Sequence, residues 1–320
     1  MTLVITVMNN PGTGAFPLRI EGLGAAGDGV AHHDGHVLFL PGTLPGEEVL
    51  ARFSGTRPEL IEVTHPSADR VAPPCSLFGE CGGCAIQEMS LPALLEWKTA
   101  RVSAALDAAG FEDIPAPGQY QTAPYTRRRM DLAIQRIPGG IILGLHRRNG
   151  DPVDMTECHL LHPELFALLS PLREVLGTLG ALTGRGSLVL NLLDSGPDLT
   201  LSTPAELTSA DRSKLAAFGR AYNLPRISWQ NPKDRSIETV SQTKPVTERF
   251  GEVETSPPPA AFLQATRDAE NAIVQAAVEG LPSLNKKDII VELFAGCGTL
   301  TVPLSAKGRL LAYEGEPPAA

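Results

Sequence analysis

The sequence predicts a multi-domain protein with an N-terminal β-barrel of the oligonucleotide-binding type, a central α+β domain with a cysteine-rich loop, and the incomplete start of a C-terminal Rossmann-like α/β domain. Three observations predict this order. Short apolar runs alternate with glycine turns over residues 17–65, three cysteines fall within residues 75–84, and a strand, glycine turn, helix and second strand follow from residue 288. With 320 residues, 42% of them hydrophobic, the chain has room for two or three domains with ordinary cores.

The barrel is predicted over residues 1–70. Short apolar-rich runs of strand length follow one another between glycine turns, which is typical of a small antiparallel barrel. The letters Gly22-Leu-Gly24-Ala-Ala-Gly27 match the dinucleotide-binding fingerprint, but turns and strands follow them where that motif requires a long helix. We therefore interpret these glycines as turn residues of the barrel.

The cysteine-rich loop reads Cys75-Ser-Leu-Phe-Gly-Glu-Cys81-Gly-Gly-Cys84 and predicts a metal site. The two glycines of the last pair let the backbone turn tightly enough for both sulfurs to face one point. A fourth thiolate would close the site, and Cys158 is the candidate because Cys297 belongs to another motif. One loop with three ligands plus a remote fourth favours an iron–sulfur cluster; zinc, and cysteines that are unligated or in a disulfide, are the alternatives.

The central α+β domain is predicted over residues 71–92 and 123–258. Strands are expected at 130–134 and 141–145, a hairpin at 188–202, helices near 163–176 and 209–221, and edge strands at 226–230 and 238–240. Two apolar runs around the Asp194-Ser-Gly-Pro turn indicate the hairpin. Ser90 is expected to cap a helix over about 91–109, in which Trp97 is a packing residue.

A basic segment opens the first strand of the central domain. The whole chain has a formal net charge of −9, yet residues 97–150 carry eight Lys or Arg against four Asp or Glu. Strand alternation places Arg127 and Arg129 on the same side as Asp131, and guanidinium groups suit phosphate contacts. Arg127, Arg128 and Arg129 are therefore candidate RNA-binding residues, with a solvated sheet edge and internal ion pairs as the alternative.

The C-terminal motif runs from Asp288 through Glu292, Gly296 and Gly298 to a second strand that ends at Glu314. Glycines let the backbone approach a nucleoside closely, and an acid at the end of the next strand can bind ribose hydroxyls. An acid followed by Gly-x-Gly after a strand favours S-adenosylmethionine over NAD. We assign residues 93–122 and 259–320 to this partial domain, and interpret its cysteine as a small packed residue because no activating base lies nearby.

The order of these motifs resembles that of the TRAM-domain RNA uracil-5 methyltransferases over nearly the whole chain. The matching features are the barrel, the three-cysteine loop, the basic segment from Tyr125, and the motifs Glu157-Cys158, Phe262-Leu-Gln264 and Glu292-Leu-Phe-Ala-Gly-Cys-Gly. The resemblance implies a [4Fe-4S] cluster on Cys75, Cys81, Cys84 and Cys158. It also implies S-adenosylmethionine contacts from Gln264, Phe294, Gly296, Gly298, Thr299 and Glu314, although Thr299 stands where the family usually has Asn.

The resemblance further implies methyl transfer from S-adenosylmethionine to carbon 5 of a uridine, in 23S rRNA or alternatively in transfer RNA. In this family a cysteine attacks carbon 6 and a glutamate helps remove the proton from carbon 5, and both lie beyond the glycine motif. Since this chain stops at Ala320, we expect a fragment that lacks the catalytic residues and is inactive alone. A natural truncation would instead leave a noncatalytic RNA-binding module.

Other classes are disfavoured by the sequence. A radical S-adenosylmethionine enzyme would need Cys-x3-Cys-x2-Cys, whereas Cys75 and Cys81 are separated by five residues. No apolar run is long enough for a membrane span and the amino terminus lacks a basic start, so we expect a cytoplasmic monomer without membrane contact. The role of the cluster, structural or redox, is left open. Apolar strand faces from about residue 285 onward are expected to lack a covering layer.

Overall fold

A computed structural model describes residues 14–148 and 150–315. The first 13 residues of the predicted barrel, Asn149 and residues 316–320 lie outside this description. The chain divides into two units, Met1–Gln119 and Tyr120–Ala320. The cysteine loop and the helix after it thus belong to the barrel's unit, whereas the predicted division placed them with the central sheet and the glycine motif.

The first unit contains six strands and one helix in its described part. They are β1 (Phe16–Arg19), β2 (Gly22–Leu23), β3 (Gly29–His33), β4 (His36–Leu40), β5 (Glu48–Ser54), β6 (Arg57–His65) and α1 (Leu91–Ala108). The strands pair in the orders β1-β5-β6 and β2-β3-β4, and Ile20, Leu40, Val49 and Ala51 are buried between them. The strands predicted from alternating apolar runs are confirmed.

Two glycines of the segment that resembles the dinucleotide-binding fingerprint have structural roles in the barrel. Gly27 has φ +87°, a left-handed conformation that favours glycine, and an ideal Cβ there would lie 2.7 Å from Cγ1 of Ile86. At Gly24 a Cβ would lie 3.0 Å from Cε1 of Phe39. Close packing and turn geometry therefore require these glycines, and the interpretation as barrel residues is supported.

A buried ion pair joins the barrel to the segment before the cysteine loop. Nε of Arg70 lies 2.5 Å from Oε1 of Glu47, and Nη2 of Arg70 donates to Oε2 of Glu47 at 2.8 Å. Beyond the loop, Ser90 caps α1 as predicted, with its Oγ accepting from the Ala93 N–H. Trp97 packs beside the cluster of Leu44, Ile86 and Met89, so its predicted packing role is confirmed.

The second unit is built on a seven-stranded sheet. Its strands are β7 (Arg129–Ile137), β8 (Gly140–His146), β9 (Pro152–Asp154), β10 (Arg185–Leu193), β11 (Gly196–Ser202), β12 (Arg226–Gln230) and β13 (Ile237–Gln242), in the order β13-β12-β11-β10-β7-β8-β9. The helices α2 (Pro163–Ala167), α3 (Leu169–Thr178) and α4 (Ser209–Ala221) cover it, with leucines 165, 169, 172, 176 and 215 in the shared core. The single helix predicted near 163–176 is two helices that meet at Leu168.

The prediction of an edge strand at 226–230 is wrong. β12 lies between β11 and β13, and four of its five residues are buried. It runs parallel to β11 because α4 carries the chain back across the sheet between the two strands, as parallel pairing requires. The prediction for the following strand is confirmed, since β13 is at the edge.

The remaining elements of the second unit follow the central sheet. They are β14 (Glu248–Phe250), β15 (Val253–Thr255), α5 (Arg267–Glu279), β16 (Ile289–Leu293), α6 (Thr301–Ser305) and β17 (Arg309–Tyr313). β16 and β17 pair in parallel, as predicted. Their apolar side chains are exposed in the described part of the chain: Val291 by 57%, Leu293 by 64% and Tyr313 by 57%. None of the helices within residues 14–148 and 150–315 is long and apolar enough to cross a membrane.

Asp211 connects α4 to the turn after α3. Its carboxylate accepts hydrogen bonds from the N–H groups of Gly180, Ala181 and Thr208 and from the Thr208 hydroxyl. Burial raises the pKa of Asp211, but these hydrogen bonds outweigh it and leave the pKa below its ordinary value. The ionised carboxylate therefore stabilises the fold above the unfolded-state pKa, and this stability is lost as the pH falls through the folded-state pKa.

We expect Asp211→Ala to lower the free energy of unfolding at neutral pH by about 1–3 kcal/mol, since buried donors lose their acceptor. Urea unfolding followed by circular dichroism measures the change. The difference between the variant and the wild type should shrink in acid, where the wild-type carboxylate is protonated. Glu252→Ala removes an exposed carboxylate and serves as control, and a constant difference at all pH values would contradict the assigned role.

Candidate cofactor and RNA-binding sites

The glycine turn between β16 and α6 forms the candidate cofactor site. Phe294, Gly296 and Gly298 have φ values of +61°, +58° and +102°, so three residues adopt left-handed conformations within five positions. Such a conformation costs a non-glycine residue about 1–3 kcal/mol and clusters at ligand sites. Phe294 is also 88% exposed. The turn therefore presents an aromatic ring and open backbone to a ligand.

Glu314 lies at this turn. It directly follows β17, and its Oε2 accepts a hydrogen bond from the Gly296 N–H at 2.6 Å. The carboxyl ends of parallel strands meet at one edge of a sheet, where open α/β sheets bind ligands. The segment that carries Gln264 reaches the same region, because Leu263 is buried in a cluster against which Cys297 and Val302 pack. The structure thus brings the predicted cofactor residues into one neighbourhood.

Two buried oxygens at this motif have no hydrogen-bond partner among the described residues. Glu292 is 8% exposed and its Oε2 is unpaired, as is Oγ1 of Thr301. Buried polar atoms in native proteins are paired with rare exceptions, and the exceptions mark sites completed by water or a ligand. These oxygens suit the positively charged and hydroxyl-bearing S-adenosylmethionine that the motif predicts.

Cys297 is unsuited to nucleophilic attack. Burial raises the pKa of its thiol, and the carboxylates of Glu314 and Glu248 raise it further. Since the thiolate is the nucleophilic form, a raised pKa makes the residue less reactive. The side chain instead packs against the cluster that includes Phe250 and Leu263, in agreement with the interpretation from sequence.

Arg128, predicted to bind RNA, is buried inside the second unit. It is 3% exposed, with Nη1 2.6 Å from Oε1 of Glu248 and Nη2 2.6 Å from Oε2 of Glu270. Its Nε donates to the Gln264 carbonyl at 3.3 Å, and its N–H donates to the Ala265 carbonyl at 2.8 Å. Every donor group of this side chain faces protein, so the structure gives Arg128 a packing role in place of the predicted RNA contact.

Arg127 and Arg129 occupy more open positions. Arg129 lies with its guanidinium 5.6 Å from the ring centre of Phe262, which is 68% exposed, and it pairs with Asp131 at 3.2 Å. Nε of Arg127 donates to the Arg129 carbonyl at 3.1 Å. The internal ion pair considered as an alternative is therefore present, and the basic side chains lie beside an exposed aromatic ring.

The three-cysteine loop is held by backbone hydrogen bonds. The Phe78 N–H donates to the Cys75 carbonyl and the Cys81 N–H to the Leu77 carbonyl, at 3.1 and 2.9 Å. The left-handed turn residue is Gly79, with φ +88°, and not either glycine of the last cysteine pair. Within residues 14–148 and 150–315, no group of three or more His, Cys, Asp or Glu side chains is arranged to hold a metal ion.

Cys158 lies in the second unit, next to the basic segment. The Arg127 N–H donates to the Leu160 carbonyl at 2.8 Å and the Tyr125 N–H to the His159 carbonyl at 2.9 Å, so the two segments run side by side. Sγ of Cys158 accepts from the Leu161 N–H at 3.4 Å. The predicted fourth ligand thus borders the candidate RNA-binding residues.

The hydrogen-bond partners of Arg128 and Tyr125 were not predicted from the sequence. Glu248 and Glu270 stand 120 and 142 residues from Arg128, and no local pattern relates them. His159, which hydrogen-bonds Tyr125, could have been found, because it follows the singled-out Glu157-Cys158 pair directly.

The comparisons with known proteins agree with this arrangement. Residues 16–54 match the TRAM domain model. An uncharacterized RNA methyltransferase of Mesorhizobium japonicum is 35% identical over 93% of this chain and 69% of its own length. The 23S rRNA (uracil(1939)-C(5))-methyltransferase RlmD of Bordetella parapertussis is 32% identical over 91% of this chain, which spans 65% of that protein.

A solved structure shares the fold. The tRNA (uracil-54, C5)-methyltransferase of Pyrococcus abyssi, in complex with S-adenosyl-L-homocysteine, superposes with a TM-score of 0.64 at 19% identity and covers 94% of this chain and 73% of that one. Barrel, central sheet and glycine turn together define an RNA methyltransferase with an N-terminal TRAM domain. More particularly, the chain belongs to the RNA methyltransferase family of its Mesorhizobium relative, and it is also similar to RlmD.

Proposed function

We propose that the protein acts in the transfer of a methyl group from S-adenosylmethionine to carbon 5 of a uridine in 23S rRNA. The observation that carries the proposal is the glycine turn with Glu314 on the Gly296 N–H, in a chain whose relatives include RlmD. S-adenosylmethionine supplies the methyl group. None of the five cysteines of this chain is assigned as the nucleophile, since four are proposed cluster ligands and Cys297 has a raised pKa.

The residues of this chain would bind and orient the two substrates. Glu314 would accept hydrogen bonds from the ribose hydroxyls, a charge-assisted interaction that is stronger than one between neutral groups. Phe294, Gly296, Gly298, Thr299 and Gln264 would surround the rest of the cofactor. Arg127 and Arg129 would contact phosphates of the RNA, with Arg128 holding the neighbouring backbone from within.

We also propose that Cys75, Cys81, Cys84 and Cys158 bind a [4Fe-4S] cluster. The four side chains are of the right chemical type, because cysteine thiolates are the usual ligands of such clusters. Among the described residues, no group of three or more His, Cys, Asp or Glu side chains is arranged to hold a metal ion, so the proposal rests on the cysteine spacing and the family resemblance. Zinc is the alternative. We propose a structural role for the bound group, in a cytoplasmic and monomeric protein.

Gene disruption tests the proposed function. We expect 23S rRNA from the disrupted strain to lose one 5-methyluridine, detected by nuclease digestion and mass spectrometry and mapped by fragment analysis. Complementation with the wild-type gene should restore it, and a Glu314→Ala gene should not. Loss of the nucleoside from transfer RNA would favour the substrate of the Pyrococcus enzyme, and no loss in either RNA would favour a noncatalytic RNA-binding module.

The cluster proposal predicts that anaerobically purified protein has an absorbance band in the violet part of the visible spectrum, because iron would be bound by thiolates. Cys158→Ala should lose most of this absorbance, because one ligand is removed. Cys297→Ala is the matched control, since it lies outside the proposed ligand set. Colourless protein that contains one zinc per chain would contradict the proposal.

A further inference from the structure

Three hydrogen-bonded side chains beside the basic segment have no part in the proposed cofactor site. The Tyr125 hydroxyl lies 2.5 Å from Nδ1 of His159, and Nε2 of His159 lies 2.6 Å from Oε1 of Glu157. An ionised carboxylate can only accept, so Nε2 of His159 donates to Glu157, and in the neutral imidazole Nδ1 is then the acceptor for the Tyr125 O–H. The tyrosine ring is thereby held in one orientation.

The backbone of Tyr125 is held as well. Its φ is +63°, in the left-handed region that non-glycine residues rarely adopt. Its N–H donates to the His159 carbonyl at 2.9 Å, so His159 binds both the main chain and the side chain of Tyr125. Strained conformations of this kind persist where the surroundings fix them, and they concentrate at ligand-contacting sites.

Tyr125 is an exposed aromatic residue. It is 45% exposed while its hydroxyl contacts His159, so an aromatic side chain that is held in place lies at the surface. A basic residue lies close to this ring, since Arg127 is two residues further along the chain. The backbone of Arg127 pairs with the segment that follows His159. Proteins that bind single-stranded RNA combine such exposed rings with basic side chains along the backbone path.

We propose that Tyr125 is a stacking platform for an unpaired base of the RNA, with His159 and Glu157 as the residues that position its ring. The proposal rests on the proposed RNA-binding function and deepens it, since it adds a base contact to the phosphate contacts of Arg127 and Arg129. Loss of one stacked base weakens binding by about 5- to 150-fold, depending on the site.

Fluorescence anisotropy with the whole chain and a labelled single-stranded RNA tests the proposal. Tyr125→Leu should weaken binding by about 5- to 150-fold, while the slope of log Kd against log salt stays unchanged because no phosphate contact is lost. Tyr125→Trp keeps a ring and should retain most of the affinity, whereas Tyr125→Phe keeps the ring but loses the hydroxyl that His159 holds, so its affinity should lie between those of wild type and Tyr125→Leu. Tyr222→Leu is the matched control, since Tyr222 is 44% exposed but packs on Phe218 at the end of α4.

The outcomes separate this proposal from the proposed function. If wild-type protein fails to bind RNA, the RNA-binding function is wrong and the stacking role with it. If wild-type protein binds and Tyr125→Leu binds equally well, only the stacking role is wrong. A reduced salt slope in Tyr125→Leu, or an equal loss in Tyr125→Trp, would also overturn stacking. If Tyr125→Leu fails to fold, Tyr125→Trp and an RNA with abasic positions test the stacking role instead. Stacking predicts that the abasic RNA binds more weakly.

Discussion

Arg128→Ala is expected to lower the free energy of unfolding by about 3–5 kcal/mol, because removing one partner of a buried ion pair leaves the other charge uncompensated. Arg128 contacts two carboxylates at 2.6 Å, those of Glu248 and Glu270, and both are buried. Arg267 pairs with Glu248 at 2.9 Å but does not replace the contact to Glu270. Urea unfolding of the whole chain, followed by circular dichroism, measures the effect.

The effect of Arg128→Ala should depend on pH. Burial already raises the pKa of Glu270, and the coulombic attraction of Arg128 opposes that rise. Without the guanidinium the folded-state pKa rises further above the unfolded value. The folded variant then binds protons more tightly than the unfolded chain, so this stability is present below the unfolded-state pKa and is lost as the pH rises through the folded-state pKa. The deficit relative to wild type should therefore be largest at neutral pH and smaller near pH 4.

Arg129→Ala is the matched control for Arg128→Ala. Arg129 is the next residue along the chain, and its ion pair with Asp131 involves a carboxylate that is 58% exposed. Exposed pairs contribute about 0–1 kcal/mol, so we expect a small change in stability and a weaker affinity for RNA. If Arg128→Ala instead kept wild-type stability and lost RNA affinity, the originally predicted RNA contact of Arg128 would be restored.

Glu314→Ala is expected to weaken binding of S-adenosylhomocysteine by about 10- to 100-fold, since hydrogen bonds to charged groups contribute about 1.5–3 kcal/mol each. The carboxylate lies on the Gly296 N–H, at the turn where Phe294 and Gly298 present open backbone. Removing it takes away the proposed acceptor for the ribose hydroxyls. Isothermal titration calorimetry with the whole chain measures the dissociation constant.

Two controls accompany Glu314→Ala. Glu252→Ala removes an exposed carboxylate in the β14–β15 hairpin of the same unit and should leave the affinity unchanged. Glu314→Gln retains an acceptor oxygen but loses the charge, so an intermediate affinity is expected. Equal affinities for wild type and Glu314→Ala would remove Glu314 from the cofactor site and leave the glycine turn as the remaining candidate.

Local sequence patterns were sufficient for elements that depend on local interactions. The helix Ser209–Ala221 has the predicted bounds, because Thr208 and Asp211 form a capping box at its start. The hairpin of β10 and β11 also formed as predicted around a Gly-containing turn. Pairing between strands that are distant in sequence was harder to predict from local patterns. β12 was expected at an edge, since nothing within its five residues indicates parallel pairing with β11.

The candidate site shows the same limit. The glycine turn and Glu314 were predictable because the motif and the following strand are contiguous in sequence. Arg128 was not, because its burial depends on Glu248 and Glu270, which only the fold brings near. Three adjacent arginines look alike in sequence, yet one points into the protein. The cysteine spacing predicts the type of metal ligand. It does not predict the positions of the four sulfur atoms, because these depend on the tertiary structure.

The parallel pair β16 and β17 has a consequence for ligand coupling. Within residues 14–148 and 150–315 this pair forms a two-stranded sheet whose apolar side chains Val291, Leu293 and Leu311 are exposed, so it has fewer stabilising contacts than the central sheet. It should therefore be among the first segments to undergo local opening. Gly296 and Glu314 lie at the carboxyl ends of the two strands, so a bound cofactor would contact both. Cofactor binding would then stabilise the ordered state of this region against local opening.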